Sequence, residues 1–172
     1  WQMRFESAFD PAQGKVLAGV PQGPLTRLGS TRKKGSLVRF LPDDTIFEDI
    51  TFNGELVSHR LQELAYLNKG LTILFTDERI KDPAQREITY RYDGGIADYV
   101  RYLNATKTPL HDNPILLEGK SGTTITRVAI QYTDDYAESL FSYVNNIPTS
   151  EGGTHETGFK AALTSVLNTY GH

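Results

Sequence analysis

The chain has 172 residues, of which 38% are hydrophobic and none is cysteine, and its formal net charge is −3. A chain of this size can bury a core as one ordinary domain or two small ones. No apolar run approaches the roughly 18 residues that a membrane helix needs, and the lack of cysteine excludes a disulfide framework and a thiolate zinc site, which fits a reducing, cytoplasmic setting with no membrane partner.

Charge is unevenly spread. Residues 1–40 hold seven Lys/Arg against two Asp/Glu, and the remainder holds eleven against nineteen. A basic front of this kind either steers an anionic partner or is a solvated surface, and both readings stand at this point. The chain begins at Trp1, as expected of a piece of a longer protein.

Residues 1–30 alternate short apolar pieces with turn formers such as Asp10-Pro11, Gly14 and Gly23-Pro24, the pattern of edge strands and loops. The cluster Arg32-Lys33-Lys34 leads into Gly35-Ser36, and Leu37 to Leu41 reads as a strand stopped by Pro42. Phe52 to Gly70 is the clearest helix of the first half. Asn53 is its cap, Leu56, Val57, Leu61, Leu64, Ala65 and Leu67 form its apolar stripe, and Gly70 is its stop. A strand over Leu71–Phe75, a mobile charged loop from Asp77 to Arg86 and a strand over Glu87–Tyr92 make a hairpin.

Asp93-Gly94-Gly95 is the best domain boundary in the chain. A helix follows it, with Ile96, Val100 and Leu103 on one face. Next come a connector to Pro114, a strand over Ile115–Glu118, a turn at Lys120-Ser121-Gly122, an alternating strand over Thr123–Tyr132 and a further strand over Leu140–Val144. Beyond Asn145-Asn146 and Gly152-Gly153, an amphipathic helix is expected. Thr154 is its N-cap, Glu156 sits in its first turn, and Phe159, Ala162, Leu163, Val166, Leu167 and Tyr170 lie on one face.

No catalytic constellation is complete. His155-Glu156 lacks the second histidine four positions on that a zinc-protease helix needs, since Phe159 stands there, and His59, His111 and His172 share no ligand spacing with it. No serine has a nucleophile-elbow context. Gly152-Gly153-Thr154 could bind an anion through backbone N–H groups, or be only a tight strand-to-helix turn.

Several blocks, in order, carry a resemblance. They are Gly35-Ser36-Leu37-Val38-Arg39-Phe40-Leu41-Pro42-Asp43, Arg60-Leu61-Gln62-Glu63-Leu64-Ala65-Tyr66-Leu67-Asn68-Lys69-Gly70, Thr76-Asp77-Glu78-Arg79, Tyr92-Asp93-Gly94-Gly95-Ile96, Tyr102-Leu103-Asn104 with Lys107, Pro109 and His111, and Asn145-Asn146-Ile147 through Gly152-Gly153-Thr154-His155-Glu156 to Gly158-Phe159. Together they resemble the ATPase subunits of bacterial type IIA topoisomerases, the gyrase B and topoisomerase IV family, over nearly the whole chain.

The resemblance implies an α+β fold. Residues 1–93 would be the C-terminal part of a GHKL-type ATPase domain, and residues 94–172 the N-terminal part of a transducer domain resembling the second domain of ribosomal protein S5. It implies that Ser36 and Val38 line the adenine pocket, with Ser36 keeping the hydroxyl that the more usual threonine would supply. Gly152, Gly153, Thr154 and His155 would belong to the transducer that couples nucleotide state to gate closure.

The family's catalytic glutamate, magnesium-binding asparagine, adenine-site aspartate and glycine-rich lid have no match here, and its phosphate-sensing lysine is expected beyond His172. No catalytic residue is therefore expected in this chain, which alone should neither hydrolyse ATP nor hold a cofactor tightly. The parent would use ATP and Mg2+, act on DNA, self-dimerise through the ATPase domain and form a heterotetramer with a DNA-cleaving, gyrase A-like subunit. The segment Phe5–Val20 departs from the family pattern. A different class of function also stands, a non-catalytic anion- or DNA-binding module that uses residues 27–39, with Arg32, Lys33 and Lys34 as its contacts.

Overall fold

A computed structural model of the chain describes residues 1–171, apart from the side chain of Ala18; His172 lies outside the described residues. Two compact units result, one over Trp1–Phe52 and the other from Asn53 onward.

The first unit is built on an antiparallel hairpin of β1 (Phe5–Asp10) and β2 (Lys15–Pro21), with an irregularity in register between Glu6 and Ala8. Its turn follows from local chemistry. The Asp10 carboxylate accepts the Ala12 N–H at 2.9 Å, and Gly14 takes the left-handed conformation at φ +62°. The segment Phe5–Val20, which departs from the family pattern, is thus this hairpin. Ser7 donates to Asp43, which also accepts from Thr45, and these bonds hold the Asp43 carboxyl below its usual range, Ser7 contributing most.

The strand expected over Leu37–Leu41 does not form. Leu37, Val38 and Leu41 are 93%, 82% and 86% exposed. No strand among the described residues pairs with this segment, and backbone without a ladder partner gains nothing from the β conformation.

The second unit begins with helix α1 (Gly54–Leu67). The Asn53 side chain accepts the Leu56 N–H at 3.0 Å, as its position at the start of the apolar stripe requires. Asn68 closes the helix, and Gly70, at φ +79°, turns the chain into β3 (Thr72–Thr76). The short helix α2 (Pro83–Arg86) follows, capped by the Asp82 carboxylate on the Ala84 N–H at 2.9 Å, and leads into β4 (Glu87–Arg91), which pairs antiparallel with β3. The 77–86 segment is tied across its base by Asp77 N–H to Arg86 O at 2.9 Å. Asp77 accepts the Arg79 guanidinium at 2.8 and 2.6 Å, which holds its carboxyl down at about 2.

Gly95, at φ +62° and ψ −131°, starts helix α3 (Ile96–Leu103), where the Asp98 carboxylate accepts the Gly94 N–H at 2.8 Å. Strands β5 (Ile115–Ser121) and β6 (Thr124–Ile130) form a second hairpin, closed by a two-residue turn with Gly122 at φ +59°. His111 pins the preceding connector to it. Its Nδ1–H donates to Asn113 O at 2.7 Å while Nε2 accepts the Tyr132 N–H at 3.0 Å. After a third hairpin, β7 (Tyr143–Val144) with β8 (Ile147–Pro148), helix α4 runs from Thr154 to Gly171.

The core sits where α1, α3 and the β3–β4 hairpin meet, around the buried residues Ala65, Tyr66, Tyr90, Ala97 and Tyr99. It is unusually aromatic. Tyr66 stacks on Tyr92 with ring centroids 3.5 Å apart and on Tyr99 at 5.0 Å. The hydroxyls at its margin are satisfied, Ser58 with Tyr90 at 2.5 Å and Gln62 to Tyr92 at 2.9 Å. Elements on both sides of Gly94-Gly95 thus belong to one compact unit, and the division between units falls at Phe52.

The expected apolar face of α4 is only partly covered. Phe159 and Leu163 are half-buried, whereas Val166 and Tyr170 are 65% and 91% exposed. Thr154 opens the helix rather than capping it. The first helical bonds, from Glu156 and Thr157 N–H, are accepted by Gly153 O at 3.1 and 3.2 Å.

Candidate functional site

The β7–β8 hairpin is shaped by its turn. Asn145 and Asn146 occupy left-handed φ values of +50° and +66°, the two-residue turn that matches strand twist, and asparagine tolerates it better than most residues. The Thr149 N–H donates to Ser142 O at 2.9 Å and extends the pairing past Pro148. Two side chains of α1 and its cap hold the turn. Arg60 Nη2 donates to Asn146 O at 2.5 Å, and Asn146 Nδ2 donates to Asn68 Oδ1 at 3.2 Å.

Glu63, one turn of α1 after Arg60, is the centre of the arrangement. It pairs with Arg60, and its Oε1 accepts the Tyr143 hydroxyl at 2.5 Å, a short charge-assisted bond. A phenol has one proton, so Tyr143 is committed to Glu63. The Tyr99 hydroxyl then donates to Tyr143 Oη at 3.3 Å or to Glu63 at 3.4 Å. Glu63 is 12% exposed and Arg60 is 36% exposed at the side chain. Burial pushes both tyrosines above their usual range, Tyr143 with the further help of its bond to Glu63.

On the other side of the hairpin, Ser142 links to the start of α4. Its hydroxyl bonds to Thr149 Oγ1 and donates to Glu156 Oε1, while Thr149 Oγ1 meets His155 Nε2 at 3.1 Å. Gly152, at φ +75°, makes the turn into the helix and donates its N–H to Thr149 O at 2.9 Å. A Cβ on Gly153 would lie 2.7 Å from the His155 ring, so this glycine gives the imidazole its room. A cleft of about 380 Å³ adjoins the network, lined by Glu63, Ser142, Tyr143, Thr149, Glu156 and Lys160 among others.

The chemistry open to this arrangement is positional. The carboxylate of Glu156 lies over Gly152, and Glu151 lines the same groove, so negative charge already occupies the surroundings of the helix start and opposes an anion there. His155 has no carboxylate partner among the described residues, and these contain no group of three or more metal-ligating side chains. Gly152, Gly153, Thr154 and His155 are brought together as the junction between the hairpin and α4. Ser36 and Val38 lie in the first unit with exposed side chains, as do Arg32, Lys33 and Lys34, which enter no ion pair among the described residues.

Sequence reasoning did not single out Glu63, Tyr99, Ser142 or Tyr143 as site residues. Glu63 and Tyr143 stand 80 positions apart, and no local spacing announces such a pair. The signal in the chain was Asn145-Asn146 between two short apolar pairs, which marks a hairpin turn whose exposed carbonyl needs a donor.

Known proteins bear on this geometry. A family model described as DNA gyrase B matches residues 95–172. The DNA gyrase B protein of Staphylococcus aureus is 49% identical over 169 residues, 98% of this chain and 26% of the relative. The chain belongs to the DNA gyrase B family. The gyrase B protein of Staphylococcus epidermidis strain RP62A is likewise 49% identical, over 89% of this chain and 24% of the relative.

Two solved structures share the fold. The B-subunit of the DNA gyrase from Myxococcus xanthus has a TM-score of 0.72 and 26% identity, over 90% of this chain and 45% of that one. The 43K ATPase domain of Thermus thermophilus gyrase B, solved in complex with an aminocoumarin, has a TM-score of 0.70 and 30% identity, over 90% and 42%. The mixed helix and strand architecture is thus that of gyrase B ATPase structures. The chain spans about a quarter of the length of the curated gyrase B relatives.

Proposed function

We propose that this chain is the part of an ATP-dependent type II topoisomerase subunit that lines the nucleotide pocket and conveys its state to the DNA gate. Residues 1–93 contribute the C-terminal part of the GHKL ATPase domain, and residues 94–172 the N-terminal part of the transducer. Ser36 and Val38 face the adenine, and ATP with Mg2+ is held by residues of the parent protein that this chain does not supply. The parent is a DNA-acting isomerase that dimerises through its ATPase domain and works with a gyrase A-like, DNA-cleaving subunit. Arg32, Lys33 and Lys34, exposed on the first unit, are positioned for DNA or another anion.

The observation that carries the coupling role is a path from α1, within residues 1–93, to the start of α4: side-chain hydrogen bonds tie α1 to the hairpin at Tyr143 and Asn146, and the adjacent Ser142 bonds to Glu156. Coupling needs an element that both ends can bias, and a helix whose first turn is tied to a remote helix by named bonds meets that requirement. The test is Gly153→Val in the full-length subunit assembled with its partner. The added side chain displaces the His155 ring, and ATP turnover should continue while supercoils per ATP fall. Normal supercoiling in that variant would refute the coupling role.

A further inference from the structure

We infer that Glu63, held by Arg60 and Tyr143, is the positioning residue that latches the β7–β8 hairpin to helix α1 and so sets how tightly nucleotide turnover drives strand passage; this rests on the coupling role proposed above. The latch is made of side chains. Backbone hydrogen bonds attach the hairpin to itself and to the start of α4, whereas its ties to α1 and the α1 cap are Arg60 to Asn146 O at 2.5 Å, Asn146 to Asn68 at 3.2 Å and Tyr143 to Glu63 at 2.5 Å.

Two of the three pass through the Arg60–Glu63 pair, which lies one turn apart on a single helical face. The same carboxylate orients Arg60 toward the turn carbonyl and accepts the phenol, so removing it releases both contacts at once. Its side chain is 12% exposed, and solvent replaces the phenol poorly as a donor there. From Tyr143 the path needs one residue to reach Ser142, whose hydroxyl meets Glu156 in the first turn of α4. Movement of α1 by the length of a hydrogen bond therefore pulls on the start of α4 through the hairpin, whereas a broken latch lets the hairpin stay behind.

The experiment uses the full-length subunit with its DNA-cleaving partner and compares wild type, Tyr143→Phe, Glu63→Gln and the double variant. Tyr143→Phe removes one oxygen and keeps the ring, so folding is preserved. Each single change should lower supercoils per ATP about fivefold, the scale of a modest coupling energy, and move the KM for ATP by less than twofold. The double variant should be no worse than the weaker single, because both changes break one latch.

A wild-type ratio in Tyr143→Phe, or multiplicative losses in the double variant, would overturn the inference. Amide exchange over residues 143–159 in the same protein gives a second readout. It should speed up in Tyr143→Phe, and unchanged exchange would overturn the latch. A wild-type protein with no ATP-driven change in DNA topology would instead refute the coupling role, while the exchange result still decides whether the latch exists.

Discussion

Gly95→Ala and Gly158→Ala are the same chemical change and should have opposite effects on stability. Gly95 sits at φ +62° and ψ −131°, a region essentially reserved for glycine, and a Cβ there would stand 3.2 Å from Lys69 Cβ and 3.6 Å from Tyr66 O. Holding an alanine in such a conformation costs about 1–3 kcal/mol, and the tight contact with Lys69 places the expected loss near the middle of that range, about 2 kcal/mol. Gly158 lies inside α4 with nothing within 4 Å of an added methyl group, so alanine there should gain about 0.5–1 kcal/mol from helix propensity.

For a chain of this length the first loss corresponds to a fall in Tm of roughly 4–8 °C. Urea denaturation followed by far-UV circular dichroism reads both variants on one scale. A Gly95→Ala variant within about 0.5 kcal/mol of wild type would show that the residue is not held in the glycine-only region, because that value is the scatter expected of surface substitutions. It would mean that α3 starts with a different backbone from the one described.

Single groups give two further predictions. The Asp77 carboxyl is held at about 2 against an unfolded value of 3.8, mainly by its bonds to Arg79, so its contribution to order in the 77–86 segment is complete above about pH 4 and lost as the pH falls through about 2. Protection of the amides in that segment, taken relative to the intrinsic exchange rate at each pH, should fall over this window, Asp77→Asn should abolish that fall, and constant protection in wild type would contradict the assignment. In the full-length subunit, Ser36→Ala should weaken ATP binding about fivefold, the worth of one hydrogen bond, while Ser36→Thr keeps it; equal affinities for all three, measured by calorimetry, would remove Ser36 from the pocket.

What the sequence made legible is what local chemistry decides. Asn53, the apolar stripe behind it and Gly70 together define α1, and the Asn53 cap forms as its position demands. Asp82-Pro83 carried the signal for α2 as clearly, yet the surrounding charge read as a loop. The Leu37–Leu41 run has strand composition but no partner strand among the described residues, and a ladder cannot be inferred from one strand. The α4 stripe is periodic, but periodicity states which face is apolar and not what covers it; Val166 and Tyr170 are exposed here.

The site was legible as a turn and a helix start, and not as a network. Gly152, Gly153 and His155 were visible as a tight junction. The groups that tie this junction down, Glu63 on α1 and Tyr143 on β7, stand 80 positions apart and meet only in the folded unit. Tertiary hydrogen bonds of this kind leave no period in the chain.

Under the proposed function, nucleotide turnover in the parent protein drives a change in DNA topology through these residues. The most direct measurement is the linking-number change of closed circular DNA acted on by the full-length subunit with its DNA-cleaving partner, followed with ATP turnover in the same reaction. The linking number should change only with both ATP and Mg2+ present, and the change per ATP consumed should fall in Gly153→Val. ATP turnover that proceeds with no change in linking number by the wild-type protein would contradict the proposed function.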